Sequence, residues 1–219
     1  MSGSHPSLMR RVAAKLGLAS DPWAIDARER ASGYYDSMYA ESEQYDRPYF
    51  RSHYYFLWTV IVDRIRRRRP AKVLEVGCGV GQFAEFLVAQ GGVAYTGFDF
   101  SPQAIEKARA KRIDGARFEV GDALETDLFE TVEHDRLVCT EVLEHVERDL
   151  DIVARIRPGT RCICTVPNFP YESHVRHFAD AAEVEGRYGE AFDDLDVFTL
   201  EDPAHEGNRF FLLEGTKRA

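Results

Sequence analysis

The stretch CTEVLEHVERDL, Cys139 to Leu150, sets Glu141, Glu144 and His145 within five positions, directly after the apolar run DRLVCT. Such a run reads as a buried strand, so two carboxylates and an imidazole stand where a strand ends. In open α/β sheets the ligand crevice lies beyond the carboxyl ends of the strands. Glu141 and His145 are four apart and Glu144 is three from Glu141, so a helix starting here gathers them on one side. Two acids crowded near a buried ligand are costly, and a divalent cation relieves that cost. Oxygen donors with imidazole suit Mg²⁺ or Mn²⁺, and the lack of thiolates argues against a closed structural zinc site. An ion held there can bind two neighbouring substrate oxygens and lower the pKa of a reacting hydroxyl. Two other readings stay open. His145, with Glu144, can do the acid–base work without metal, or the pair can simply cap and solvate a helix start.

A second group lies upstream, in VLEVGCGVGQF. A strand runs straight into Gly77, Gly79 and Gly81, with Glu75 two residues ahead of the first glycine and Cys78 between the first two. Glycines let the backbone turn sharply and approach a ligand closely, and the helix that follows offers free N–H groups. A dinucleotide loop has the spacing GxGxxG; here the third glycine follows the second by two.

The elements that must position these groups alternate along the chain. KVLEV, AYTGFDF, ARFEVGDA, DRLVCTEV and RCICTVPNF read as strands. GQFAEFLVAQGG, SPQAIEKARAK and EHVERDLDIVARI read as helices, the second with Ser101 as N-cap and Pro102 at its first position. DLDVFTL and NRFFLLEGTK are two further strands joined by a loop too short for a helix, hence an antiparallel pair. The fold class is therefore α/β: a Rossmann-like, seven-stranded, mostly parallel sheet with helices on both faces and a C-terminal antiparallel hairpin. Residues 1–70 form an N-terminal helical extension or lid and residues 71–219 the main domain. Within the extension, residues 1 to about 30 are peripheral. A helix starting near Pro48 carries Phe50, Tyr54, Leu57, Ile61 and Ile65 on one face, and Pro70 stops it.

EVGCGVG resembles the first motif, E/D-x-G-x-G-x-G, of the class I S-adenosylmethionine-dependent methyltransferases, matching every specified position. The resemblance runs from about Lys72 to Val146, and the strand order extends it to the C-terminus. It implies that Glu75, Gly77, Cys78, Gly79, Gly81 and Glu141 surround S-adenosyl-L-methionine. Asp99 in GFDFS would hold both ribose hydroxyls, Phe100 would lie against the adenine, and Asp122 with Ala123 would contact the adenine amino group. The stretch E-x-x-E-H also resembles two metal-dependent branches, the ubiquinone-type O-methyltransferases and the small-RNA 3′-end 2′-O-methyltransferases. That implies a divalent ion on Glu141, Glu144, His145 and one histidine of TVPNFPYESHVRHF. His174 is favoured over His177 because the preceding loop can bring it back toward the crevice.

Composition narrows the partners. A net charge of −9 disfavours a nucleic-acid footprint. No apolar run reaches the roughly 20 residues of a membrane span, and the N-terminus lacks a secretion pattern, so a cytoplasmic small-molecule enzyme is expected. Cys78, Cys139, Cys162 and Cys164 show no CxxC spacing and read as buried free thiols. The basic run RIRRRRP suits a helix C-terminus. The aromatic tract from Tyr34 to Trp58 divides between core packing and a substrate lid, and Arg51, His53, Tyr171 and Arg176 are polar candidates for substrate contact. The leading acceptor is a sugar or other vicinal polyol, with a likeness to mannoside O-methyltransferases. A catechol-like phenol, an RNA 3′ end and a non-catalytic cofactor-binding module are the alternatives. A homodimer is left open.

Overall fold

The computed structural model describes residues 27–67 and 71–219. The reading of residues 1 to about 30 as peripheral falls almost wholly outside them, as does the stop at Pro70.

Five strands alternate with helices from Ala71 onward: β1 (Ala71–Val76), β2 (Val93–Asp99), β3 (Ala116–Val120), β4 (Arg136–Thr140) and β5 (Arg161–Pro167). Two more, β6 (Phe192–Glu201) and β7 (Arg209–Lys217), form the terminal hairpin. The seven lie in the order β3-β2-β1-β4-β5-β7-β6, with β7 antiparallel to both neighbours and every other pair parallel. The expected sheet is therefore present, hairpin included.

Successive side chains of a strand point to opposite faces, and both faces here are apolar. Val73, Tyr95, Ile163 and Leu212 pack on one side against α2 (Tyr55–Arg66), α3 (Gln82–Ala89) and α4 (Pro102–Ala110). Leu74, Phe98, Cys162, Cys164 and Leu213 pack on the other against α5 (Leu128–Thr131), α6 (Asp149–Arg155) and α7 (Ala181–Tyr188). Near-continuous burial of β1 and β5 follows from this two-sided cover. All four cysteines are buried and free. Ser101 caps α4, its hydroxyl accepting the Ala104 amide at 3.1 Å with Pro102 at the first helical position.

Two expected helices are shorter than their sequence pattern. The segment from Pro48 makes one tight three-residue turn, Tyr49–Arg51, and α2 begins only at Tyr55. Ser52 breaks the helix: its backbone is extended (ψ 144) and its hydroxyl accepts the Tyr54 amide, a local bond that competes with helix formation. Phe50 accordingly stands exposed rather than on the buried face. After β4 a single turn, Leu143–His145, precedes α6. The carbonyls that a continuous helix would use are taken elsewhere. The Arg176 guanidinium donates to the oxygens of Leu143, Val146 and Glu147, and the Val175 amide donates to that of Glu144 at 2.8 Å.

A further helix, which precedes α2 in the chain and spans Ser32–Glu41, lies across the carboxyl end of the sheet. Its Asp36 accepts the Ser101 hydroxyl at 2.5 Å and the Gln103 amide at 3.3 Å. Glu29 accepts the Glu147 amide at 2.8 Å, and Gln82 donates to the Arg47 carbonyl at 2.7 Å. No helix among the described residues is long and apolar enough to cross a membrane.

Candidate active site

The turn after β1 is locked by its own amides. Gly77 and Cys78 both donate to the Phe98 carbonyl, at 2.9 and 3.0 Å, which joins the ends of β1 and β2. Gly79 donates to Asp99 Oδ2 at 2.9 Å, and Ser101 to Asp99 Oδ1 at 2.9 Å. Gly77, Gly79 and Gly81 all have positive φ, a backbone state that L side chains rarely adopt. Asp99 is nearly buried and its pKa rises to about 6, desolvation outweighing those two amide bonds. Each of its oxygens still has a lone pair to offer a ligand.

A cleft of about 680 Å³ opens beside this turn. Gly77, Asp99, Phe100, Asp122, Ala123, Glu141 and His145 all line it, so the structure brings together most of the expected donor-site residues. Four expected residues do not line it. Cys78 is buried, its thiol turned to the Gly79 carbonyl, while Gly79 and Gly81 shape the turn from outside the cleft wall. Glu75 is buried under the turn and bonded to the Tyr95 hydroxyl, with desolvation pushing its pKa to about 8. Its place is beneath the loop rather than along the cleft wall, because successive strand residues face opposite ways and Val76 takes the cleft side. Two tyrosines of the aromatic tract, which the sequence left between core packing and a lid, stand at the lining. Tyr35 lies 5.1 Å from Phe100 and 6.0 Å from His145 between ring centroids. Tyr39 covers the glycine turn, its hydroxyl 3.2 Å from where a Gly79 side chain would begin. Both belong to the aromatic tract, whose spacing alone cannot tell a lid from a core.

The acidic and imidazole group lies at the far side of this cleft. Glu141 has φ +54, strained for a residue with a side chain. That kink removes it from the expected helix face. Its backbone amide donates to the Thr165 hydroxyl at 3.2 Å, and the same hydroxyl donates to its carboxylate at 2.9 Å. Glu144 is wholly buried; its carboxyl oxygens accept no hydrogen bond from a neighbouring basic or hydroxyl side chain, and the Glu141 carboxyl lies within hydrogen-bond reach of it. Burial first, and then the neighbouring Glu141 charge, push its pKa well up; Glu141 itself is raised to about 7, chiefly by burial.

Two imidazoles face Glu144. His145 Nε2 stands 3.8 Å from Glu144 Oε1, and its ring lies 4.8 Å from that of His174. A carbonyl can only accept, so the Nδ1–H groups donate: His145 to Ser173 at 2.9 Å and His174 to Phe169 at 3.0 Å. Both Nε2 atoms are thereby left with a lone pair. Desolvation lowers both ring pKa values, that of His145 to about 4. Donor atoms of Glu144, His145 and His174 fall within 4.8 Å of one another, a grouping able to hold a metal ion. His174 joins it, whereas His177 is exposed. Glu141, the fourth expected ligand, stands outside this threesome because its carboxylate is turned to Thr165.

The turn is braced from behind. Asp149, fully buried, accepts from Arg187 at 2.5 Å and from the Tyr188 hydroxyl at 2.7 Å, with Arg176 3.4 Å away. Arg176 is thus engaged with backbone carbonyls and Asp149, not with a substrate as its sequence context suggested. Tyr171 and Arg51 are exposed, and His53 lies against Asp202 on the terminal hairpin.

Residues 73–158 match the model of a family described as a methyltransferase domain. The ubiquinone biosynthesis O-methyltransferase of Vibrio vulnificus is 29% identical over 134 residues, covering 58% of this chain and 57% of that protein. A probable chloroplastic tocopherol O-methyltransferase of Oryza sativa is 28% identical over 169 residues, 72% of this chain and 46% of the relative. The chain thus spans about half the length of these curated relatives. Among solved structures, the magnesium protoporphyrin IX methyltransferase of Synechocystis PCC 6803, with bound S-adenosylmethionine, superposes with a TM-score of 0.62 at 16% identity. That match covers 85% of this chain and 98% of the other. The chain thus shares a Rossmann-like fold with solved methyltransferases, and its residues 73–158 match a methyltransferase domain.

Proposed function

We propose that the protein is an S-adenosyl-L-methionine-dependent O-methyltransferase in which a divalent ion aids methyl transfer to one of two adjacent oxygens on a small molecule. The single observation that carries the metal part is Glu144, a buried acid with another acid, Glu141, and no lysine or arginine side chain bonded to its carboxyl, facing two imidazoles whose Nε2 atoms keep their lone pairs. A buried carboxylate so placed is costly unless a cation meets it. The donor set of one carboxylate and two imidazoles fits such an ion, and the carbonyl bonds at both Nδ1 atoms are the outer contacts that orient metal-bound histidines. Glu144, His145 and His174 would hold the ion, with Glu141 close enough to adjust the local charge. When bound, Mg²⁺ or Mn²⁺ would supply a Lewis acid for the acceptor oxygens.

On the donor side, S-adenosyl-L-methionine supplies an already activated methyl group, so the chain's work is alignment. Asp99 would accept both ribose hydroxyls while Gly79 and Ser101 hold its carboxylate in place. Phe100 would lie against the adenine, with Asp122 and Ala123 at its polar edge. Tyr35 and Tyr39, carried by the helix Ser32–Glu41, would cover the donor and exclude water, which makes this part of residues 1–70 a lid. His145, whose Nε2 keeps its lone pair, could serve the ion as a ligand or, without metal, take the proton of the acceptor hydroxyl.

For the acceptor, the relatives favour a catechol-like phenol, since ubiquinone and tocopherol are built on oxygenated aromatic rings and the cleft mouth here is aromatic. A sugar or mannoside presents the same pair of oxygens, but no relative named above points to one. An RNA 3′ end is opposed by the net charge of −9. The experiment is turnover with a panel of catechols, mannosides and RNA 3′ ends, with and without EDTA. Loss of turnover on chelation and recovery with Mg²⁺ or Mn²⁺ are expected. Full activity in EDTA would overturn the metal role, and binding of S-adenosylmethionine without any methylated product would favour a non-catalytic module.

A further inference from the structure

A second constellation of metal-binding chemistry stands at the tip of the β6–β7 hairpin. His53, Asp202 and His205 present donor atoms within 4.8 Å of one another. His53 comes from the segment just before α2, and the other two come from the hairpin loop. Asp202 Oδ2 lies 2.9 Å from His205 Nδ1 and 3.3 Å from His53 Nε2. The other oxygen, Oδ1, is held by the Ala204 amide at 2.9 Å, which fixes the carboxylate so that Oδ2 points at both rings. The two rings meet edge to face, with centroids 5.3 Å apart and planes at 60°.

The His205–Asp202 contact is a hydrogen bond, and both contacts to Oδ2 are short enough for the three groups to close around one ion. Bonds of ~2.0–2.1 Å in tetrahedral directions put neighbouring donors ~3.3 Å apart. The Asp202 side chain is completely buried, yet its ion-pair partners are two imidazoles rather than a lysine or arginine. A buried carboxylate in that setting gains most from a fixed positive charge. Both histidines are exposed, which leaves the outward positions open to water or to a ligand. Three protein ligands with an open fourth position are the arrangement of reactive or exchangeable zinc sites rather than closed structural ones.

We propose that His53, Asp202 and His205 form a second metal site, one that takes a borderline transition ion such as Zn²⁺ or Co²⁺ and not Mg²⁺ or Ca²⁺. Two imidazoles and a carboxylate whose other oxygen is tied to the Ala204 amide favour that class of ion, whereas the Glu144 cluster has a second acid, Glu141, beside it as a further source of oxygen donors. His205, being exposed, passes its Nδ1 proton to Nε2 through solvent when Nδ1 takes the ion, so no net proton need leave. The ion ties the segment that leads into α2 to the hairpin beside β5. It does so without touching Glu144, His145 or His174, and the reading does not depend on methyl transfer.

The test is Co²⁺ titration of the full chain followed by visible absorption, together with Zn²⁺ calorimetry. Glu144→Gln with His174→Ala removes the first cluster, and His53→Ala or His205→Ala removes the second. The first variant is expected to retain one Zn²⁺ and the tetrahedral Co²⁺ spectrum. The second pair should each lose Zn²⁺ affinity at the hairpin by more than the roughly 10–100-fold that follows loss of a mere outer contact. Because both histidines are exposed, their removal leaves the fold intact, and circular dichroism verifies this. Unchanged Zn²⁺ stoichiometry and affinity in His53→Ala and His205→Ala would overturn the proposal. So would absence of any retained ion in the Glu144→Gln/His174→Ala chain, or binding of Mg²⁺ at the hairpin as tight as that of Zn²⁺.

Discussion

Gly77→Ala isolates a demand that the glycine turn makes before any ligand arrives. A methyl group on residue 77 would sit 2.3 Å from Cγ2 of Val142, at the start of the turn that carries Glu144 and His145. Val142 is β-branched and stiff at χ1, so it yields poorly. Overpacking of this sort costs about 1–3 kcal/mol. The residue also has φ +70, which adds about 1–2 kcal/mol for any L side chain. The sum, about 2–5 kcal/mol, is a large part of the ~5–15 kcal/mol by which a domain is stable. At roughly 2–4 °C per kcal/mol for a chain of this size, Tm should fall by about 4–20 °C. Adding Val142→Ala should recover the collision but not the dihedral strain, a coupling of about 1–3 kcal/mol in a double-mutant cycle read by urea unfolding. The reasoning fails if Gly77→Ala melts with its parent, or if the coupling stays within the ~0.5 kcal/mol expected of independent sites. Since no cofactor is present in the assay, the result speaks only to the contact between the two turns.

Other outcomes follow from the same geometry. Asp99→Asn keeps one acceptor but loses the charge, and should weaken S-adenosylhomocysteine binding about 10–100-fold by calorimetry, the equivalent of hydrogen bonds to a charged group. Glu75, raised to about 8 by burial, has a folded pKa above its unfolded value. Its contribution is complete below pH ~4.5 and is lost as pH climbs to about 8. Wild-type stability should therefore drop by up to about 1.4 kcal/mol per pH unit across that window. In Glu75→Gln, followed by urea unfolding at pH 5 and pH 8, the slope should flatten, and an unchanged slope would refute the assignment. Asp149→Ala strips the buried partner of Arg187 and Arg176 and should cost about 3 kcal/mol or more. A thermal melt indistinguishable from wild type would show that the brace behind the turn that carries Glu144 and His145 is dispensable.

The sheet was readable in the residues because its burial is two-sided. Val73 and Leu74, or Leu212 and Leu213, face opposite apolar layers and so produce unbroken hydrophobic runs. Ser101 and Pro102 announced α4 by local chemistry that needs no tertiary help. What escaped was set by distant partners. No local signal says that Arg176 will take the carbonyls of residues 143, 146 and 147 and so prevent a helix there. Nor does one say that Glu141 will adopt a left-handed backbone and turn to Thr165. Glu75 matched a motif position but lies on the strand face away from the cleft. Tyr35 and Tyr39 were legible as aromatic residues and not as a cover, since packing and covering demand the same amphipathic ring. The pairing of His53 with Asp202 joins chain segments far apart in sequence, and no spacing rule reaches that far.

The order of the sheet has a consequence for how the chain is made. β7 follows β6 in the chain, yet it is not at the margin but lies between β5 and β6. Until Lys217 has cleared the ribosome, β6 has no strand to bond with and the buried rim of β5 stays open to solvent. Assembly of that half of the sheet must wait for β7, and loss of this one strand forfeits two at once.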